Sequence, residues 1–156
     1  MTQAASSLSI QRVSRLPGIP SDRLLRKWVR AALSAQSPAP IEFEITVRIV
    51  NAAEGRNLNS AFRGKDYATN VLTFVYHERD ARRLQGDLVL CAPVVSSEAK
   101  MQGRLLAAHY AHLCVHGVLH LVGHAHESSR EAKRMEALEV AILAGLGIDD
   151  PYLEKL

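Results

Sequence analysis

The apolar segment at residues 104–122 constrains the fold most strongly, because it also carries four histidines. His109, His112, His116 and His120 are three, four and four residues apart. At about 100° per residue, this spacing places all four along one stripe of a helix. The rest of the segment is mostly apolar, which predicts a helix at the centre of the core. Buried histidine rings need partners, so the stripe indicates either a hydrogen-bond network or a metal.

A metal site is favoured by the end of this segment, HGVLHLVGHAH. His116 and His120 lie one helical turn apart, as do the paired histidines of zinc hydrolases. Gly123 can then reverse the chain in a left-handed turn and bring His126 to the same ion. The histidine spacing is that of the metzincin signature. We therefore predict one zinc ion bound by His116, His120 and His126, with a fourth position for water as in catalytic sites.

Neighbouring residues are alternatives or supports for this site. His124 follows the turn glycine directly and competes with His126 as the third ligand. His112 lies one turn before the pair and is expected to pack against a ligand or orient it, and Glu127 is the nearest carboxylate after the turn. Nickel, iron or manganese would also suit an all-imidazole site, because affinity order alone does not select the metal.

The residue after the first ligand argues against peptidase chemistry. In HExxH peptidases a glutamate there is the general base, whereas this chain has Gly117. A zinc peptidase is therefore the weaker alternative, and a non-catalytic factor whose metal fixes the helix and turn is another. Phosphodiester hydrolysis fits better, because a Lewis acid and an arginine can stabilise charge on phosphoryl oxygens. Arg63, in the segment FRGKD, is a candidate for that arginine.

The remaining pattern predicts an α+β fold in which a small mixed sheet of about four strands packs with about five helices. Strands are expected at residues 8–13, 41–50, 70–76 and 86–95, and helices at about 21–35, 51–62, 96–103, 104–122 and 128–144. A polar, basic loop is expected at 77–85, and His77 and His109 are expected at the surface. No domain boundary is evident, which favours one domain over residues 1–156.

Composition narrows the setting without naming a function. The chain has 156 residues, 47% of them hydrophobic and 22% charged, which is typical of a globular protein. Neither a membrane span nor an export signal is evident. Cys91 and Cys114 sit in apolar runs, where buried reduced thiols are expected, so we predict a cytoplasmic location. The net charge of +3 is compatible with a polyanionic partner.

Four segments together carry a resemblance to a known family. HGVLHLVGHAH resembles the histidine signature of the YbeY family of bacterial endoribonucleases. LNSAFRGKDYATNVLTF, QGDLVLCAPVV and RMEALEVAILAGLGIDDPY are similar to three further motifs of that family, in the same order. They cover the chain from about Leu58 to Tyr152. The first 50 residues carry no matching motif, only a compatible helix and strand.

The resemblance implies a function and assigns residues to it. His116, His120 and His126 occupy the zinc-ligand positions, and Arg63 occupies that of the functionally important arginine. The implied activity is a zinc-dependent endoribonuclease specific for single strands, acting in 16S ribosomal RNA 3′-end maturation and ribosome quality control near the small subunit. Lys65 is expected to help attract the RNA backbone. The implied partners include neither a membrane nor DNA.

Three departures from the family pattern bear on proton transfer. Ala125 stands where an acidic residue is common, His124 where tyrosine is common, and Ala68 where proline is common. A carboxylate before the last histidine could orient a ligand or a water. Its absence is expected either to weaken metal binding or to shift that role to His124 or Glu127.

Overall fold

A computed structural model describes residues 6–40, 42–76, 83–124 and 127–153, and in it a four-stranded sheet is the organising element. The strands are β1 (Ser7–Arg12), β2 (Glu42–Val50), β3 (Val71–Val75) and β4 (Arg83–Cys91), in the order β1-β2-β4-β3. The β1–β2 and β2–β4 pairs are parallel, and β3 runs antiparallel to β4 at the sheet edge. The predicted mixed sheet is confirmed.

Five helices accompany the sheet in the described part of the chain. They are α1 (Asp22–Ser34), α2 (Ala52–Arg63), α3 (Ala92–Met101), α4 (Leu106–Leu121) and α5 (Ser129–Gly145). The Ser21 hydroxyl caps α1 by accepting from the Leu24 N–H, and Ser128 caps α5 by accepting from the Glu131 N–H. Both predicted helix starts are therefore confirmed.

Strand β2 lies within the expected segment 41–50, and its side chains alternate in burial. In β2, Ile45, Val47 and Ile49 are buried in the main core, whereas Glu44 between the apolar positions is exposed. A half-buried strand shows this period-two pattern because successive side chains point to opposite faces of the sheet.

Two predicted boundaries are wrong. Residues 92–95 were expected to continue the strand, but the strand ends at Cys91 and α3 begins at Ala92. Pro93 lies in the first turn of α3, where its missing N–H costs no helical hydrogen bond. Residues 83–85 were expected in a loop, but they extend β4 and pair with residues 42–44 of β2. Pairing with the neighbouring strand β2 therefore decides the structure of this segment, although its polar residues favour a loop.

The two faces of the sheet carry different layers. Leu84, Leu88 and Leu90 of β4 belong to the main core, together with buried residues of α1, α4 and α5. Val89 and Cys91 belong to a smaller cluster on which Leu58 of α2 packs. The sheet is therefore covered on both sides, and α4 lies on the side with the larger core.

Helix α4 is the central helix that the histidine-rich segment predicted. Ten of its residues are buried, among them Gly117, which packs directly on the sheet. A Cβ atom at Gly117 would lie 2.1 Å from Leu88 Cδ1 and 3.5 Å from Thr73 Cγ2. The missing side chain therefore lets α4 approach β4 and β3 closely.

The two cysteines lie in the interior of the fold. Cys91 and Cys114 are both free and buried, as predicted. Burial raises the pKa of the Cys114 thiol to about 12 and also raises that of Cys91.

Among the described residues, no helix combines the length and apolar character needed to cross a bilayer. His77 lies outside the described residues.

Candidate metal centre

The histidine stripe of α4 faces residues of α3 and α5. His112, His116 and His120 are half-buried. His109 is 3% exposed, so its expected surface position is wrong. Its Nε2 lies 2.9 Å from a carboxylate oxygen of Glu98 on α3, a partner that sequence spacing did not indicate. Burial, and to a lesser extent Arg104, lower the pKa of His109 against the opposing effect of Glu98.

His116 and His120 converge at the C-terminal end of α4. Their Nε2 atoms lie 3.1 Å apart, and the ring centroids are separated by 4.6 Å. Two zinc–nitrogen bonds of about 2.0–2.1 Å at a tetrahedral angle would separate the nitrogens by about 3.3 Å. The structure thus brings together two of the predicted ligands with their Nε2 atoms at a spacing that suits one metal ion.

A buried carboxylate lies behind this pair. Glu139 of α5 is fully buried, and its Oε1 accepts a hydrogen bond from His116 Nδ1. Its Oε2 accepts from the Tyr152 hydroxyl and lies 3.2 Å from His112 Nε2. Burial raises the pKa of Glu139, but hydrogen bonds from His112, His116 and Tyr152 outweigh it and lower that pKa to about 2. Glu139 is therefore an ionised carboxylate surrounded by donors.

His112, His116 and Glu139 form a group that could hold a metal ion, since each offers a donor atom within 4.8 Å of the others. Their hydrogen bonds point to a different use of the same atoms. The His116 nitrogen facing Glu139 is Nδ1, whereas the nitrogen facing His120 is Nε2. Metal-binding histidines commonly donate their second ring N–H to a carboxylate, which fixes the ring and raises its basicity. Glu139 is placed for that supporting role.

The turn after α4 forms as the sequence predicted. Gly123 has a φ of 110°, a conformation that favours glycine, and the His124 N–H bonds to the Leu119 carbonyl at 2.9 Å. The His124 Nε2 lies 3.0 Å from Gln36 Oε1, next to α1. Burial, and more weakly Arg134, lower the pKa of His124. Glu127 is exposed, and His126 and Ala125 lie outside the described residues.

Arg63 closes α2 and is exposed beside β3. Its Nη2 donates to the Thr73 carbonyl at 2.7 Å, and its guanidinium carbon lies 5.7 Å from the centroid of the Phe74 ring. Because Thr73 also packs near Gly117, Arg63 is anchored on the strand that adjoins α4. Lys65 follows in the connection to β3 and is exposed.

Sequence reasoning missed Glu139 and Tyr152. Glu139 shares a helix face with the buried residues Met135, Ile142 and Leu143, so it interrupts an apolar stripe with a carboxylate. A charged residue at such a position is seldom buried without a partner, which is the signal that could have identified it. Tyr152 lies beyond the last helix, where helical spacing gives no signal, but the segment RMEALEVAILAGLGIDDPY, which resembles a family motif, contains both residues.

Comparison with known proteins agrees with the sequence resemblance. The family model described as "Endoribonuclease YbeY" matches residues 15–147, which also takes in α1 and β2, where no motif had been recognised. An endoribonuclease YbeY from Cupriavidus metallidurans is 51% identical over 97% of this chain and 75% of its own length. One from Aromatoleum aromaticum is 52% identical over 97% of each chain.

A solved structure at low sequence identity supports the fold alone. The solution structure of TM1509 from Thermotoga maritima aligns with a TM-score of 0.59 at 20% identity, covering 95% of this chain and all of the other. The resemblance carried by the four sequence segments is thus matched by relatives over nearly the whole chain. This protein belongs to the endoribonuclease YbeY family.

Proposed function

We propose that this chain is a metal-dependent endoribonuclease that cleaves single-stranded RNA, with zinc bound by His116, His120 and His126. One observation carries the proposal: two imidazole Nε2 atoms converge to 3.1 Å while the Nδ1 of one ring bonds to a buried carboxylate. That is the donor chemistry of a histidine metal site with an oriented ligand. Such a metal would polarise a phosphate oxygen and lower the pKa of a water molecule.

Arg63 is proposed to bind the scissile phosphate. Its bond to the Thr73 carbonyl uses one of five guanidinium N–H donors, and the contact with Phe74 restrains the plane of the group. A restrained guanidinium can engage two phosphate oxygens at once and stabilise the charge that develops on them. Lys65 is exposed nearby in sequence and would attract the RNA backbone without reading its bases.

The biological setting of the proposal follows the family. The curated relatives are named endoribonucleases, which supports RNA as the substrate. We propose a role in 16S ribosomal RNA 3′-end maturation and ribosome quality control, in the cytoplasm and near the small ribosomal subunit. A net charge of +3 supports electrostatic binding of a single strand, with the ribosome supplying specificity.

Histidine substitutions with metal analysis test the site. His120→Ala and His126→Ala should each lower bound zinc below one equivalent and abolish cleavage of a single-stranded RNA oligomer. His124→Ala is the matched control, because its Nε2 is bonded to Gln36, and it should retain zinc. Stoichiometric zinc in His120→Ala would refute that ligand. If His124→Ala lost zinc while His126→Ala retained it, His124 would be the third ligand and His126 would not.

The two alternatives from the sequence make different predictions. A peptidase base at position 117 is not accommodated, because a side chain there would collide with Leu88. A peptide library incubated beside the RNA oligomer should therefore remain intact. A factor with a purely structural metal would leave RNA uncut whether or not metal is present. We expect cleavage that a chelator removes and added zinc restores.

A further inference from the structure

A chain of hydrogen bonds runs along α4 and determines where its histidine protons lie. Arg104 Nη1 lies 3.1 Å from His109 Nδ1 and 3.4 Å from His112 Nδ1. A guanidinium has donors only, so both Nδ1 atoms are acceptors. Each neutral ring then carries its proton on Nε2. The Nε2–H of His109 donates to Glu98, and the Nε2–H of His112 donates to Glu139.

His116 has the opposite arrangement. Its Nδ1 faces Oε1 of Glu139, a carboxylate whose other oxygen accepts from the Tyr152 hydroxyl, so Nδ1 is the donor and carries the proton of the neutral ring. Its Nε2 then presents a lone pair toward His120. Neutral histidine without partners carries its proton mainly on Nε2, so the environment has reversed the ordinary preference at this ring. Which nitrogen is protonated is set by the bond that the other one makes.

We propose that Glu139 is a positioning residue for the metal site, which holds the His116 proton on Nδ1 and directs Nε2 to the metal, and that Tyr152 and His112 fix Glu139 in that orientation. This inference rests on the metal site of the proposed function. It assigns Glu139 outside the set of ligands, since Oε1 and Oε2 accept from His116, His112 and Tyr152.

Tyr152 connects the C-terminal segment to the site. Its ring contacts His112 edge-to-face at a centroid distance of 5.3 Å, and its hydroxyl reaches Glu139. The Tyr152 N–H bonds to Asp150 Oδ1 at 2.8 Å, which stabilises the turn after α5. Glu139 and the hydroxyl of Tyr152 are 13 residues apart, so the tail folds back onto its own helix to complete the carboxylate's partners.

The first test is spectroscopic and uses the metal-free protein. Long-range ¹H–¹⁵N correlation spectra of histidine side chains distinguish the two neutral forms. We expect the Nδ1–H form at His116 and the Nε2–H form at His109 and His112. A His116 ring protonated on Nε2 would overturn the proposal, and no RNA or zinc is needed for that result. The same spectra of cadmium-loaded protein should show His116 bound through Nε2, and binding through Nδ1 would make Glu139 a neighbouring ligand instead.

The second test uses variants and zinc affinity. Glu139→Gln keeps the side-chain shape but replaces one acceptor oxygen by a donor, so the His116 proton should redistribute and zinc affinity should fall by about 10–100-fold. Tyr152→Phe should lower the affinity less, and Tyr67→Phe, at an exposed tyrosine between α2 and β3, should leave it unchanged. Affinities are measured by competition with a chromogenic chelator.

These outcomes separate this inference from the proposed function. If Glu139→Gln is folded and binds zinc as the wild type does, the positioning role is refuted even where His120→Ala loses zinc. If Glu139→Gln does not fold, the wild-type spectra and Tyr152→Phe still decide. A wild-type affinity in Tyr152→Phe would remove Tyr152 from the proposal.

Discussion

The Nδ1 of His116 bonds to Glu139, a carboxylate 23 residues away on a different helix, while its Nε2 faces His120 within the same helix. One ring thus links a contact set by the helical repeat to one set by the packing of α5 on α4.

Arg63→Ala should separate phosphate binding from metal binding. The variant should retain one equivalent of zinc but lose RNA cleavage by on the order of 10²–10³, comparable to the loss of one preorganised transition-state donor. Arg63→Lys should recover part of the rate, because it keeps the charge but not the two-pronged geometry. Rates are measured under single-turnover conditions. Arg56→Ala, on the same helix, is the control, and full activity in Arg63→Ala would remove this residue from the mechanism.

Gly117→Ala should destabilise the fold. A Cβ atom there would lie 2.1 Å from Leu88 Cδ1, and Leu88 is fully buried, so the side chain can move only by disturbing the core. Overpacking of this kind costs about 1–3 kcal/mol of unfolding free energy. Urea denaturation of the apoprotein measures it. Combining the substitution with Leu88→Ala should cost less than the sum of the two single changes, and strict additivity would contradict the proposed collision.

Ser128→Ala should weaken the start of α5, the helix that presents Glu139. The Ser128 hydroxyl accepts from the Glu131 N–H at 3.1 Å, and loss of such a cap costs about 1 kcal/mol. Ser129→Ala, one residue later and inside the helix, provides the matched control and should be nearly neutral. The free energy of unfolding is again the measurement. Equal effects of the two substitutions would show that the cap does not stabilise the helix.

The two thiols should be unreactive in the folded protein. Cys91 and Cys114 are buried, and burial raises the pKa of Cys114 to about 12 and raises that of Cys91. At pH 8 the reactive thiolate form is therefore scarce and inaccessible. An aromatic disulfide reagent should label neither thiol rapidly in buffer and both thiols in denaturant. Rapid labelling of one thiol in buffer would contradict the packing around it.

Local patterns explain why much of the fold was predictable. The alternation in β2, the serine caps of α1 and α5 and the left-handed Gly123 depend on neighbours within a few residues. The sequence failed where a distant partner decided the outcome. Residues 83–85 look like a polar loop but pair with β2, and His109 looks like a surface residue but is buried against Glu98.

The sequence by itself determined the helical spacing of His116 and His120, because the α-helix places residues four apart on one face whatever surrounds it. It also determined the family, since four segments resemble motifs of that family and occur in the same order along the chain. Only the tertiary structure decided which nitrogen of His116 faces its partner helix, because that depends on Glu139, Tyr152 and α5 packing against α4. The hydrogen bonds that orient a ring come from residues far away in the chain, and no local repeat encodes them.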